Sequence, residues 1–338
     1  MTVLPTGLVA GVPDVGSLRG GKRCHMCDIL FVKTSSLGDV IHQMPAACDA
    51  RRQRPDAEFS WVVEEAYAPL VRLHPAIDHV IPVATRRWRS APLSPAIWRE
   101  IRSFASAIRA RRYDEIVDSQ GLLRSALIAR AASGRRHGYD AASVRERAAS
   151  WLYDVQHRVA RNLHAIARNR ALTGLALGYT PDATVEFGLP RERLTDAAGY
   201  GVLLHATTRP EKEWPPEAWI ALGRALCQRR LQLVLPWGTE AERRRSEHIA
   251  AELGNARVPA RQQLDAMARL IAGASFVVGV DTGLLHLAAA LGVPLVAIFM
   301  ASNPDLTGPI GKGPIAVVGG KGQRPSATAV IDALETLL

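Results

Sequence analysis

The chain has 338 residues, 48% hydrophobic and 22% charged, and 42 basic against 32 acidic residues give it a formal charge of +10. That length suits two domains of ~150 residues, and that composition suits a buried core rather than a disordered, collagen-like or coiled-coil chain. No apolar run reaches the ~18 residues needed to span a bilayer, and the four cysteines are too few for a disulfide scaffold.

Residues 1–25 are rich in Gly, Val and Pro, show no helical or strand period, and read as a disordered extension. Lys22 and Arg23 follow its short apolar stretch instead of preceding it. This is a poor secretory signal, so the expected compartment is the cytoplasm. Cys24 and Cys27 form a lone C-x-x-C with no second pair, and no metal site is expected there. A strand is expected over 29–32, a helix over 40–51, and strands over 59–63 and 80–83. A helix over 98–111, a strand over 115–118 and a helix over 122–132 follow. This alternation predicts a parallel sheet covered on both faces. Residues 145–179 read as mostly helical without a strong strand, and the turn-rich stretch 178–182 marks a boundary. The rhythm then restarts with strands over 202–205, 231–235, 276–280 and 294–299. The expected architecture is α/β: a basic first domain over 26–180 and a second domain over 181–338, both doubly wound.

Charge separates the two halves. Residues 26–180 carry a net +8, whereas residues 181–338 are neutral. Nucleic acid, anionic lipid and a phosphorylated substrate all fit such a basic half, as do Arg-rich helices with solvated faces.

In doubly wound sheets ligands bind beyond the carboxyl ends of the strands. Three motifs fall there. Lys33-Thr34-Ser35-Ser36-Leu37-Gly38-Asp39 follows the first strand. Asp39 suits either a helix N-cap or a base that takes a proton from a substrate hydroxyl. His205-Ala206-Thr207-Thr208-Arg209, with Lys212 and a proline-led helix, suits a diphosphate. Asp281-Thr282-Gly283 with His286 offers a second phosphate cup; an aspartic protease would need two such triplets on all-β lobes. Arg86-Arg87-Trp88-Arg89 is a cationic cluster read as a loop, and Trp237-Gly238 with Glu240 and Glu242 offers a carboxylate for ribose hydroxyls. No G-x-G-x-x-G follows the first strand, which disfavours an NAD enzyme.

These motifs, together with Trp61-Val62-Val63-Glu64-Glu65 and Gln120-Gly121-Leu122, resemble the lipopolysaccharide heptosyltransferases in order from about residue 28 to residue 300. The resemblance implies a GT-B fold, two Rossmann-like domains facing a central cleft. It implies inverting transfer of L-glycero-D-manno-heptose from ADP-heptose to the inner Kdo of Kdo-lipid A, with no cofactor and no metal. Asp39 is then the catalytic base. Thr207, Thr208, Lys212, Glu242, Asp281, Thr282, Gly283 and His286 bind the donor, and Ser36, Gly38, Arg86, Arg87 and Arg89 bind the acceptor. Ser90 stands where the family often has lysine, and Gln262 falls near its adenine contact. The expected setting is peripheral, on the anionic cytoplasmic face of the inner membrane, without nucleic acid. The alternatives are a sister enzyme acting on a later core acceptor, or a non-catalytic basic protein that binds membrane or nucleic acid.

Overall fold

A computed structural model describes residues 27–189, 191, 199–207 and 209–338; the 1–25 extension lies outside these. The first half runs β1 (Asp28–Val32), α1 (Leu37–Gln53), β2 (Glu58–Glu64), α2 (Ala68–Val71), β3 (His79–Val83), α3 (Thr85–Ser90), α4 (Pro95–Arg109) and β4 (Arg112–Asp118). It continues with α5 (Leu123–Ala131), β5 (Ser133–Tyr139), α6 (Arg147–Ser150), β6 (Val155–His157) and α7 (Ala165–Leu177). The second half has β7 (Tyr200–Leu204), α8 (Pro216–Gln228), β8 (Gln232–Val234), α9 (Glu240–Ala251), β9 (Ala256–Arg257) and α10 (Leu264–Ala272). It ends with β10 (Phe276–Val280), α11 (Gly283–Ala290), β11 (Leu295–Phe299), α12 (Pro304–Thr307), β12 (Ile315–Gly319) and α13 (Ala327–Glu335).

Each half is a six-stranded sheet, ordered β3-β2-β1-β4-β5-β6 and β12-β11-β10-β7-β8-β9. The paired strands are parallel throughout. The inner strands are apolar on both faces, as helices on either side demand: β10 (FVVGV) and β11 (LVAIF) are buried along their whole length. In both sheets the order reverses next to the first strand, between β1 and β4 and between β7 and β10. Loops diverge there and leave a crevice beyond the carboxyl ends.

The halves share a core. One apolar cluster runs from Ile29, Phe31 and Met44 through to Val202, Leu287 and Ala289, while each sheet keeps a separate cluster on its other face. The seam is α1 against α11, with α7 packed on α1. Gly283 has no room for a side chain, because an added Cβ would lie 2.7 Å from the Leu37 Cβ. Gly38 faces the His286 ring in the same way, at 3.1 Å.

Several expectations need correction. Helix α1 begins at Leu37, three residues early, and Arg86–Arg89 lie in the short helix α3 instead of a loop. The stretch read as helical contains a strand, β6, and β5, β9 and β12 were not foreseen.

Candidate active site

Asp39 lies in the first turn of α1. Ser36, not Asp39, is the N-cap; its extended backbone (φ −75°, ψ −175°) opens the helix. Asp39 reaches back three residues, and Oδ2 accepts the Ser36 backbone N–H at 3.0 Å. Arg145, from the loop after β5, donates to Oδ1 at 3.0 Å. Burial alone would raise the Asp39 carboxyl, but the Lys33 ammonium, Arg145 and the Ser36 N–H outweigh it and hold it below the ordinary carboxylate value. It is therefore ionised at neutral pH.

Lys33, at the end of β1, is buried, and its Nζ donates to the Ser119 carbonyl at 2.8 Å and to Asn169 Oδ1 at 3.4 Å. Burial lowers its pKa to about 8 despite the Asp39 charge. Lys33, Asp39, Arg145 and Arg168 line one small polar cavity. Its floor is ordered by buried Asp118, which accepts the Gln120 N–H (2.9 Å), the Ser125 hydroxyl (2.8 Å) and the Tyr153 hydroxyl (2.7 Å).

On the opposite edge the residues gather around Asp281, just beyond β10. Lys212, on a 3₁₀ turn at Pro210–Lys212, donates from Nζ to Asp281 Oδ2 at 2.5 Å. Ser302 Oγ donates to the same oxygen. The Thr207 hydroxyl donates to the Asp281 carbonyl at 3.3 Å. Thr208 lies outside the described residues. Thr282 caps α11 and Gly283 begins it, so backbone N–H groups point into the cleft. His286 is buried; its Nε2 is 4.0 Å from Asp281 Oδ1, and its Nδ1 lies 3.3 Å from Nε2 of His42 on α1. The His42 ring also packs edge-on against His164 at the start of α7. Histidines from both halves thus close the junction. Burial, opposed by Asp281, lowers the His286 pKa to about 4.

Between the halves lies a cleft of about 320 Å³, lined by Leu37 and Tyr67 from the first half and by Thr207, Trp237, Glu242 and Met267 among others from the second. That size suits a nucleotide-scale ligand. Glu242 turns inward, and its Oε2 accepts the Gly238 N–H at 2.7 Å and the Thr239 N–H at 3.0 Å. Glu240 instead pairs with Arg243 on the exposed side of α9. Gln262 lines the cleft beside Trp237, whose indole N–H is held by the Pro259 carbonyl at 2.8 Å.

The acceptor-side residues differ among themselves. Ser36 is exposed, whereas Gly38 is buried against His286. Arg86 donates to the Tyr67 hydroxyl at 2.7 Å, next to the cleft. Arg87 is held between Glu65 (2.9 Å) and Glu100 (2.5 Å), so its charge is already matched. Arg89 is exposed and makes no ion pair among the described residues. No group of three or more His, Cys, Asp or Glu side chains able to hold a metal occurs among the described residues. Lys33, Arg145 and His42 are the residues that sequence reasoning missed. Lys33 sits inside the first motif, but its burial has no sequence signal, and Arg145 is 106 residues from Asp39.

Two Rossmann-like halves on either side of a cleft, with a carboxylate in the first turn of α1 on one and a lysine–hydroxyl cluster on the other, have the build of a GT-B glycosyltransferase. Residues 101–331 match the family model Glycosyltransferase family 9 (heptosyltransferase). The chain is 42% identical over 290 residues to lipopolysaccharide heptosyltransferase 1 of Escherichia coli K12, covering 84% of this chain and 91% of that one. It is 45% identical over 289 residues to the Pseudomonas aeruginosa enzyme of the same name, covering 84% and 81%. The solved structure of E. coli heptosyltransferase WaaC with ADP superimposes with a TM-score of 0.87 at 39% identity, covering 92% of this chain and all of that one. The same enzyme with ADP-2-deoxy-2-fluoro heptose gives 0.84, covering 91% and 99%. The chain belongs to glycosyltransferase family 9, the heptosyltransferases.

Proposed function

We propose that this enzyme transfers L-glycero-D-manno-heptose from ADP-heptose to the inner Kdo of Kdo-lipid A, with inversion. The observation that carries the reading is that Asp39, in the first turn of α1, and the Lys212–Asp281 pair, beside the start of α11, flank the seam where His42 meets His286, and the charges of all three act on His286. The identity to named type 1 enzymes, and a relative solved with a donor analogue, support it.

The donor's adenosine fills the cleft, with Glu242 on its ribose. Thr207, Thr208, Lys212 and the Thr282–Gly283 helix start take the diphosphate. Asp281 and His286 position Lys212 and the helix start. The acceptor enters past Ser36, Gly38, Arg86, Arg87 and Arg89, and its hydroxyl displaces Arg145 from Asp39. Losing that guanidinium raises the basicity of the carboxylate at the moment it is needed. The hydroxyl oxygen bonds to the anomeric carbon while the bond from that carbon to the phosphate oxygen breaks. The proton passes to Asp39, and ADP leaves with the bonding pair. One displacement inverts the centre; retention by double displacement would need a second, closely placed nucleophilic carboxylate. Lys212, hydroxyls and helix N–H groups stabilise the departing charge. The working location is the anionic cytoplasmic face of the inner membrane. ADP-heptose supplied with Kdo-lipid A should give one heptosylated lipid per ADP released. Transfer only to an already heptosylated core would assign the chain to the sister reaction, and release of ADP without transfer would overturn the reading.

A further inference from the structure

We propose that the segments following β3, β4 and β5 form the face by which the enzyme docks on an anionic lipid bilayer. This rests on the reading that the acceptor is membrane-held, and adds which surface meets the membrane.

The outward stripe of α5 is Leu123, Leu127 and Arg130, at i, i+4 and i+7. A helix in water presents polar residues on that stripe, yet Leu123 is 41% and Leu127 55% exposed. Helix α6 packs on α5, and the residue after it, Trp151, is 79% exposed. On the other side α4 packs on α5; Leu93 just before it is 92% exposed, and Trp98 in its first turn is 51% exposed. The Trp98 indole N–H is already held by the Pro92 carbonyl at 3.0 Å, so what it presents is ring. Singly exposed apolar residues are ordinary; five gathered along one edge mark a contact surface.

Charge chooses the partner. Arg99, Arg130 and Arg147 stand next to these apolar residues, exposed and without an ion pair among the described residues. The nearby carboxylates are engaged: Glu65 and Glu100 by Arg87, Glu146 by the Leu123 N–H at 2.6 Å, and Asp154, whose charge also acts on Arg130, by Arg136 at 2.5 Å. Tryptophan and leucine with unpaired arginine is the chemistry of an anionic headgroup boundary. Topology agrees. Leu93, the first turn of α4, the start of α5 and Trp151 all lie toward the carboxyl edge of the sheet, the edge that carries Asp39 and Arg145. A bilayer on this face would deliver a headgroup sugar to the base without drawing the lipid chains out of it.

The test is co-sedimentation of the full chain with vesicles of phosphatidylglycerol and phosphatidylethanolamine, against phosphatidylcholine alone. Wild type should bind the anionic vesicles. The double variant Leu127→Glu/Trp151→Glu should bind at least about tenfold more weakly, with unchanged kcat on a deacylated, water-soluble acceptor. Should that variant fold poorly, Arg130→Glu/Arg147→Glu, at exposed sites, should show the same loss. If wild type and variants bind alike, this face is overturned and membrane contact stands. If wild type binds no vesicle, both fall, while transfer to the soluble acceptor still tests the reaction separately.

Discussion

Both Asp39 carboxylate oxygens are engaged in the free protein, Oδ1 by Arg145 and Oδ2 by Ser36. Its role and its structural contribution therefore separate under substitution. Asp39→Asn keeps size and loses charge; as a first-turn residue it should cost about 1 kcal/mol or less of stability. The rate should fall on the order of 10²–10⁴-fold, because the amide accepts no proton. A variant that keeps a tenth or more of the wild-type kcat would mean that the base lies elsewhere in the cleft. Lys212 differs in being already paired, with Asp281, so on the proposed reading a bound diphosphate competes with that carboxylate for it. Lys212→Ala should weaken ADP binding by ~1.5–3 kcal/mol, the range for a charge-assisted hydrogen bond. It also leaves Asp281 with less compensation, so Asp281→Asn in the same background should recover part of the loss. Titration calorimetry showing unchanged ADP affinity in the single variant would remove Lys212 from the site.

At the level of elements, the strands and helix starts that carry Asp39, Thr207 and Asp281 were legible because apolar runs end just before them. Strand β5 was not. Its sequence, SGRRHGY, has no apolar run and its buried residues cluster at one end, so it carries no period. With β5 hidden, the loop that brings Arg145 to Asp39 was hidden too. Glu242 could not be told from Glu240 by spacing; the turn of α9 decides it, one facing the cleft and the other Arg243. The histidines of α1, the α7 cap and α11 were equally silent, since only packing brings His42, His164 and His286 together. Burial lowers all three, His286 to about 4. A histidine depressed in the fold titrates near 6.5 once unfolded. For His286 the unfolded chain thus binds more protons between those values, and its stabilisation, complete above about 6.5, is lost on acidification toward about 4, with His42 and His164 acting in the same direction. Within that window His286 contributes a slope on the order of 1 kcal/mol per pH unit. Melting temperature measured from pH 7.5 to 4.5 should fall, and His286→Asn should flatten the curve. A profile equally steep in the variant would show that other groups govern it.

Across the whole molecule, two sheets of one topology share an apolar core, which predicts a single calorimetric unfolding transition for both halves. Two resolved transitions would show that the seam contributes little. If the two halves shift as units, that seam is their expected fulcrum. Leu37 and Gly283 touch where the first turns of α1 and α11 meet, and Leu37 also lines the inner end of the interdomain cleft. Gly283→Ala leaves helix propensity better than before, yet its methyl would sit 2.7 Å from the Leu37 Cβ. Apolar carbons rest at about 3.5–4.0 Å, so the contact must widen by roughly 1 Å. Leverage enlarges a wedge of that size with distance from the pivot. The variant should keep its far-ultraviolet dichroism, show a larger radius of gyration in solution scattering and hold ADP more loosely; an unchanged radius with unchanged affinity would mean that the seam yields locally. One absent methyl group is then expected to set how closely the two halves meet.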